Sequence, residues 1–267
     1  MAWALCACIG LCAGFLSGLL GVGGGTVIVP ALILGAHRLG FGGDDAAPVA
    51  IATSLAIIIP TSIASACTHA AHDAIDWAAF RRLAPGVAAG ALGGRLLAAG
   101  VGGQATLALF VGFALYSLWR IVAIAPVASR RACAGPVPGA VALTPRGLAI
   151  GLLSALVGAG GALLSVPLLA RYLSIKRAIG TAAALGLPLA AAAMTGSMLS
   201  GRSDHCTVGC VGFVFLPAAL ATSLAAVVAA PLGARLAHRL PASALRKAFA
   251  ALLILVVADL SWKLYRP

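Results

Sequence analysis

Apolar residues run along the chain in eight blocks, roughly 2–35, 47–69, 80–101, 104–125, 146–172, 176–200, 210–234 and 243–264, each bounded by charge, Gly or Pro. A helix that crosses a bilayer needs ~20 predominantly apolar residues. The pattern predicts an all-α integral membrane protein of about eight hydrophobic segments. The longest polar connection, 126–145, carries Arg130, Arg131, Gly135, Pro136, Pro138 and Gly139 and divides the chain near its middle.

The two sides of that connection resemble each other. Residues 14–32 read GFLSGLLGVGGGTVIVPAL and residues 151–169 read GLLSALVGAGGALLSVPLL. At a constant offset of 137 these share ten identities in nineteen positions, among them Ser17/Ser154, Gly21/Gly158, Gly23/Gly160, Gly24/Gly161 and Pro30/Pro167. The next block repeats at offset 128, through Ile51/Ile179, Thr53/Thr181 and Pro60/Pro188. A third echo sets residues 92–96 against 232–236 and pairs Arg95 with Arg235. The order is the same in both halves, as expected of a duplicated unit. The expected domains are a first transmembrane repeat at 1–125, a polar linker at 126–145 and a second repeat at 146–267.

The first block, about 34 residues long, exceeds one simple span, and the fifth has about 27. Each holds a glycine cluster: Gly21-Val22-Gly23-Gly24-Gly25 and Gly158-Ala159-Gly160-Gly161. Glycine costs a helix ~1 kcal/mol per residue relative to Ala, so such clusters break it. In lipid a break leaves backbone groups unpaired and survives only where protein buries it or it lines a polar cavity. Gly-interrupted segments at matching places in two halves point to a transporter site. The second half-helices should start near Thr26 and Leu163, where N–H groups and the helix dipole favour an anion. GxGG as a nucleotide loop lacks the strand–turn–helix context and the Walker lysine. Close helix packing is the competing reading of the glycines, most of all for Gly86, Gly90, Gly93 and Gly94.

Composition excludes other classes. Of 267 residues, 62% are apolar and 9% charged, and the mean hydropathy is +1.09. Soluble domains have about 45–50% apolar and about 25% charged residues, so a water-soluble globular protein, a nucleic-acid-binding domain and a disordered chain are ruled out. The net charge of +12 fits cationic loops that orient a membrane protein. If every block crosses once, Lys and Arg divide nine against nine and give no orientation. If blocks one and five fold back to the face they left, Arg81, Arg82, Arg120, Arg130, Arg131, Arg146, Arg171, Lys176, Arg177, Arg235, Arg239, Arg246 and Lys247 share one side, thirteen against five. The positive-inside rule favours the second arrangement. It has six full crossings and two inverted repeats, each opening with a Gly-broken, re-entrant helix. Both chain ends and the 201–209 loop then face outside.

The segment GFLSGLLGVGGGTVIVPAL resembles the signature of the sulfite exporter TauE/SafE family of bacterial membrane transporters. The echo at 151–169, the pair Thr53-Ser54 and the Gly-Ala-Arg-Leu at 233–236 fit as well. The resemblance covers nearly the whole chain. It implies a multi-pass inner-membrane permease of duplicated modules for small sulfur-containing anions such as sulfite, sulfoacetate and other organosulfonates. Two positions depart from the pattern: Ala162 replaces the third glycine of the second motif, and Ala182 follows Thr181 where the first half has Ser54. The second half is therefore expected to contact substrate less than the first.

The candidate substrate-binding residues are Ser17, Gly21, Gly23, Gly24, Gly25, Thr26, Thr53, Ser54, Gly158, Gly160, Gly161, Thr181, Arg95 and Arg235. Hydroxyls can bond a sulfonate oxygen, or the carbonyl one helical turn back. Intramembrane arginine can grip an oxyanion with two parallel N–H bonds, or snorkel to the headgroups. His69, His72, Asp73 and Asp76 read as solvated loop residues, with proton carriage or metal binding as the sharper alternatives. Cys206 and Cys210, spaced CxxxC beside His205, are compatible with a disulfide or a metal site, and more simply with unpaired thiols.

The expected function is secondary transport of a small sulfur oxyanion, with an anion channel built on paired re-entrant loops as the alternative. HExxH, GxSxG and paired acidic residues within the spans are absent from the sequence, so no enzyme activity is expected. No cofactor, metal or nucleic acid is expected. The expected partners are the anionic substrate, the lipid bilayer and a coupling ion, proton or sodium, and a homo-oligomer stays open.

Overall fold

The computed structural model describes residues 2–20, 24–39, 46–98, 100–119, 138–158, 160–200 and 209–241, with scattered positions between 243 and 258. Helices α1 (Ala2–Leu20), α2 (Gly25–Leu39), α3 (Ala46–Ala70), α4 (Trp77–Ala98) and α5 (Gly103–Trp119) precede the linker. Helices α6 (Ala140–Val157), α7 (Ala162–Leu169), α8 (Ile175–Leu199) and α9 (Leu216–Arg239) follow it. Helices α3, α6, α8 and α9 have the length and apolar composition to cross a membrane, and shorter apolar helices accompany them.

The seventh apolar block departs from expectation. It opens with a small hairpin of β1 (Cys210–Val211) and β2 (Val214–Phe215), antiparallel with Cys210 opposite Phe215. Gly209 and Gly212 have positive φ, which glycine adopts without a Cβ penalty and which delays the helix to Leu216. Cys210 is disulfide-bonded, so the reading of unpaired thiols does not hold there. The other described cysteines, Cys6, Cys8, Cys12 and Cys67, are free, so its partner lies outside the described residues.

The packing is reciprocal between the halves. Helix α1 lies along α9, and α4 along α6. Helix α4 also meets α8 as α9 meets α3, while α3 and α8 pack on each other in the middle. Two glycine seams carry the outer pairs. A Cβ on Gly10, Gly14 or Gly18 would overlap the backbone oxygen of Thr222, Ala226 or Ala230. A Cβ on Gly86, Gly90 or Gly94 would likewise crowd the oxygen of Thr144, Leu148 or Leu152. Residue numbers rise together in both seams, so each pair runs parallel. Small residues let backbones approach this closely where no hydrophobic effect drives helices together. Gly93 is not part of the seam, since nothing lies within 4 Å of a Cβ there.

Chain directions follow from the same contacts. Gly180, early in α8, faces His69 at the end of α3, and Gly186 faces Ser62, so α3 and α8 are antiparallel. Gly24 lies against Ala13 and Gly35 against Leu5, so α2 turns back along α1. On α9 the residues Leu216, Leu220, Leu224, Val228, Leu232 and Leu236 form an exposed apolar stripe at four-residue spacing. Its opposite side buries Ala226, Ala230 and Ala234. A continuous exposed apolar stripe of this length is a surface for lipid.

Candidate functional site

The two glycine clusters do break the helices. In the second half, Gly158 ends α6 in the left-handed region at φ 71°, and its N–H donates to Ser154 O. Gly161 opens α7 at φ 75°. In the first half, Gly24 has the same φ of 75°. Gly24 O accepts the N–H groups of Val27 and Ile28 at 3.0 and 3.0 Å, and Gly161 O accepts those of Leu164 and Ser165 at 3.2 and 3.0 Å. The half-helices start at Gly25 and Ala162, one residue before the expected positions. Gly21 and Gly23 lie outside the described residues.

The breaks touch each other. A Cβ on Gly25 would overlap Gly158 O. Ser54 Oγ donates to Ile51 O at 2.7 Å and sits 3.3 Å from Gly158 O. Gly186 leaves room for Ser62 Oγ, with Gly160 O nearby, and Leu189 packs on Gly161. The first-half helix α3 thus walls the second-half break.

Several buried hydroxyls lack partners among the described residues, some of them at the breaks and others, such as Thr222 beside Gly10, away from them. Ser17, Thr26, Ser62, Ser65 and Ser154 are each no more than 2% exposed, and their oxygens make no hydrogen bond among the described residues. Thr26 adjoins Gly25, Ser154 Oγ lies near Gly161, and Ser62 faces Gly186 and Gly160. An unpaired buried hydroxyl costs about 1–3 kcal/mol, which a bound oxyanion or water would offset. Sequence reasoning missed Ser62 and Ser65. Their i, i+3 spacing inside an apolar block was the available signal.

Thr53 and Thr181 have a different setting. Thr53 Oγ1 accepts the N–H of Phe215, just before α9, at 3.0 Å. Thr181 Oγ1 accepts the N–H of Asp76, just before α4, at 2.9 Å. Each threonine anchors the start of the other half's long helix. Thr53→Val and Thr181→Val are each expected to cost about 1–3 kcal/mol, the penalty for orphaning a buried N–H. Thermal unfolding in detergent should show that loss, with anion affinity unchanged in the folded fraction.

The arginines also separate. Arg95 is buried, and its Nε donates to Ser197 Oγ at 2.8 Å. Arg235 is exposed. Ser197 lies eight residues beyond Leu189 on α8, about 12 Å along a helix axis, so Arg95 sits away from the breaks.

His69 is buried rather than solvated: it is 1% exposed and bridges Gly18 O and His238. His72 is exposed and stacks on His238 with ring centroids 4.3 Å apart. No group of three metal-ligating side chains occurs among the described residues. His238 went unnoticed in the sequence because 169 residues separate it from His69.

A helical, lipid-facing fold with two helix breaks in contact fits a multi-pass membrane transporter. A model of the family "Sulfite exporter TauE/SafE" matches residues 6–260, and the chain belongs to that family. A "Probable membrane transporter protein" of Haemophilus influenzae is 32% identical over 262 residues, covering 97% of this chain and 98% of that relative. Both indicate transport rather than catalysis. No solved structure matches.

Proposed function

We propose that this protein is a secondary transporter of a small sulfur oxyanion, sulfite or an organosulfonate, in the bacterial inner membrane. The observation that carries the reading is the contact between the two broken helices, bordered by orphaned hydroxyls. The N-termini of α2 and α7 bring N–H groups and partial positive charge to that region. Thr26, Ser62 and Ser154 add hydroxyl donors there. Gly25 against Gly158 closes the middle in this conformation, as alternating access requires of one of its states.

The antiparallel course of α3 and α8, with α2 folded back on α1, supports two inverted repeats and six full crossings. Under that topology Arg81, Arg82, Lys176, Arg177, Arg235 and Arg239 share the cytoplasmic end. The contact of Lys176 Nζ with His238 O at 2.8 Å is consistent with it. The repeats at 1–125 and 146–267 interlock through α1 on α9 and α4 on α6. The rocking units are therefore structural bundles that mix both repeats. No nucleotide-binding motif is present in the sequence, so an ion gradient or the substrate's own gradient drives transport.

The test is ligand-induced thermal stabilisation of the purified protein by sulfite, sulfate, thiosulfate and methanesulfonate. A ligand at about 100 times its Kd adds about 2.7 kcal/mol, so at least one sulfur anion should raise Tm. Ser154→Ala and Thr26→Val should weaken that rise. Stabilisation by another anion class, with none from sulfur oxyanions, would overturn the assignment.

A further inference from the structure

We infer that His69 and His238 form a proton-binding site that couples anion movement to a proton, an inference that rests on the transporter reading above. His69 occupies the last turn of α3 and is fully enclosed, and His238 is half-buried at the end of α9. His69 Nε2 lies 3.2 Å from Gly18 O, and His69 Nδ1 lies 3.1 Å from His238 Nε2. A carbonyl only accepts, so His69 Nε2 carries a hydrogen. In the neutral ring Nδ1 is then a lone pair, and His238 Nε2 must donate to it. That fixes the tautomer of both rings and leaves His238 Nδ1 as the free basic nitrogen.

A proton from water binds at His238 Nδ1. The two rings then share one added proton and one added positive charge across the His238 Nε2–His69 Nδ1 contact. Exposed His72 stacks on His238 and is held by Thr68 O at 2.8 Å, so the path from water runs through the half-buried His238 ring to the buried His69 ring.

The surroundings favour an anion as the balancing charge. Helix α1 has no ionisable side chain from Ala13 to Leu20 and offers Gly18 O. Helix α9 brings Arg235 and Arg239, and α8 brings Lys176 and Arg177. The turn after α3 brings His72, Asp73 and Asp76, and Asp76 Oδ1 is taken by the Ala79 N–H at 2.8 Å. No carboxylate bonds the histidine pair among the described residues. A bound anion supplies the opposite charge, so proton and anion move in the same direction. Gly18 and His69 belong to the elements that lead to the breaks: Gly18 is on α1, and His69 lies seven residues past Ser62, about 10 Å along α3.

The fold's symmetry separates this pair from ordinary packing. The Thr53 and Thr181 anchors recur in both halves. At offset 128 the counterpart of His69 is Ser197, which accepts from Arg95 at the opposite end of the molecule. The two ends of the duplicated interface therefore differ: one holds a titratable pair and the other a permanently charged arginine.

The experiment reconstitutes the full chain in sodium-free liposomes carrying a lumenal pH dye, with the membrane potential clamped. Labelled methanesulfonate is the probe, because its sulfonate does not titrate near neutral pH. Wild-type uptake should acidify the lumen with about one proton per anion. His238→Gln keeps an amide N–H for His69 Nδ1. It should retain exchange of labelled for unlabelled methanesulfonate while losing pH-driven accumulation about tenfold or more. His69→Gln is the second variant, with the same expected loss. Label entering the wild type without acidification, or variants that acidify like it, would overturn the proton site alone. No methanesulfonate entry would overturn the sulfonate transporter reading and the proton site together.

Discussion

Gly14→Leu is expected to abolish the folded protein, while Gly93→Leu leaves its Tm nearly unchanged. Gly14 faces Ala226, whose oxygen, Cα and carbonyl carbon would all clash with a Cβ. These are backbone atoms of a helix held on its other flank, so they cannot step aside as a side-chain tip can. Overpacking a well-filled core costs about 1–3 kcal/mol and sometimes more. Forcing two parallel backbones apart along the whole α1–α9 seam should exceed about 3 kcal/mol. Gly90→Leu should fail equally, because Leu148 O occupies the corresponding place in the α4–α6 seam. Gly93 is one residue from Gly94 but has nothing within 4 Å of a Cβ. Size-exclusion profiles and thermal unfolding in detergent read the contrast. Equal tolerance of Leu at Gly14 and Gly93 would sink the seam.

Gly161→Ala and Gly25→Ala should remove transport while leaving folded protein. Gly161 holds φ 75°, and a Cβ there would crowd Leu189 Cδ1. A side chain in the left-handed region costs about 1–2 kcal/mol, a loss that much of the chain's remaining packing can absorb. Gly25 meets Gly158 O, so a methyl group there separates the two breaks. Both substitutions misplace the N–H groups that would receive the anion. Uptake should fall at least about tenfold, equivalent to about 1.4 kcal/mol. Gly112→Ala on α5, with nothing within 4 Å, should transport normally. Unimpaired transport by Gly25→Ala would remove the breaks from the site.

Much of this architecture was legible in the sequence because lipid simplifies the code. Block length marks α3, α8 and most of α9, and glycine clusters mark the breaks at Gly24 and Gly158–Gly161. The echoes at offsets of 137 and 128 fall on α1 with α6 and on α3 with α8. What stayed hidden depends on contacts between distant residues. Nothing local distinguishes Thr53, which anchors Phe215, from Ser54, which faces Gly158 O. Arg95 and Arg235 share a sequence echo, yet one is enclosed and the other exposed, because α8 covers only the first. The hairpin at 210–215 was absorbed into an apolar block, since its strands are only two residues each. His69 looked like a loop residue because it sits one position from the end of α3, where α1, α8 and α9 pack against it.

Counterflow in proteoliposomes tests the central claim most directly. Liposomes loaded with unlabelled sulfite are diluted into labelled sulfite, and accumulation of label is followed over time. A transporter whose site alternates between faces will take up label faster, and transiently above equilibrium, when unlabelled sulfite is inside, and Gly25→Ala will lose that overshoot. Label that merely equilibrates, at a rate indifferent to internal sulfite, would show a pore and contradict the account.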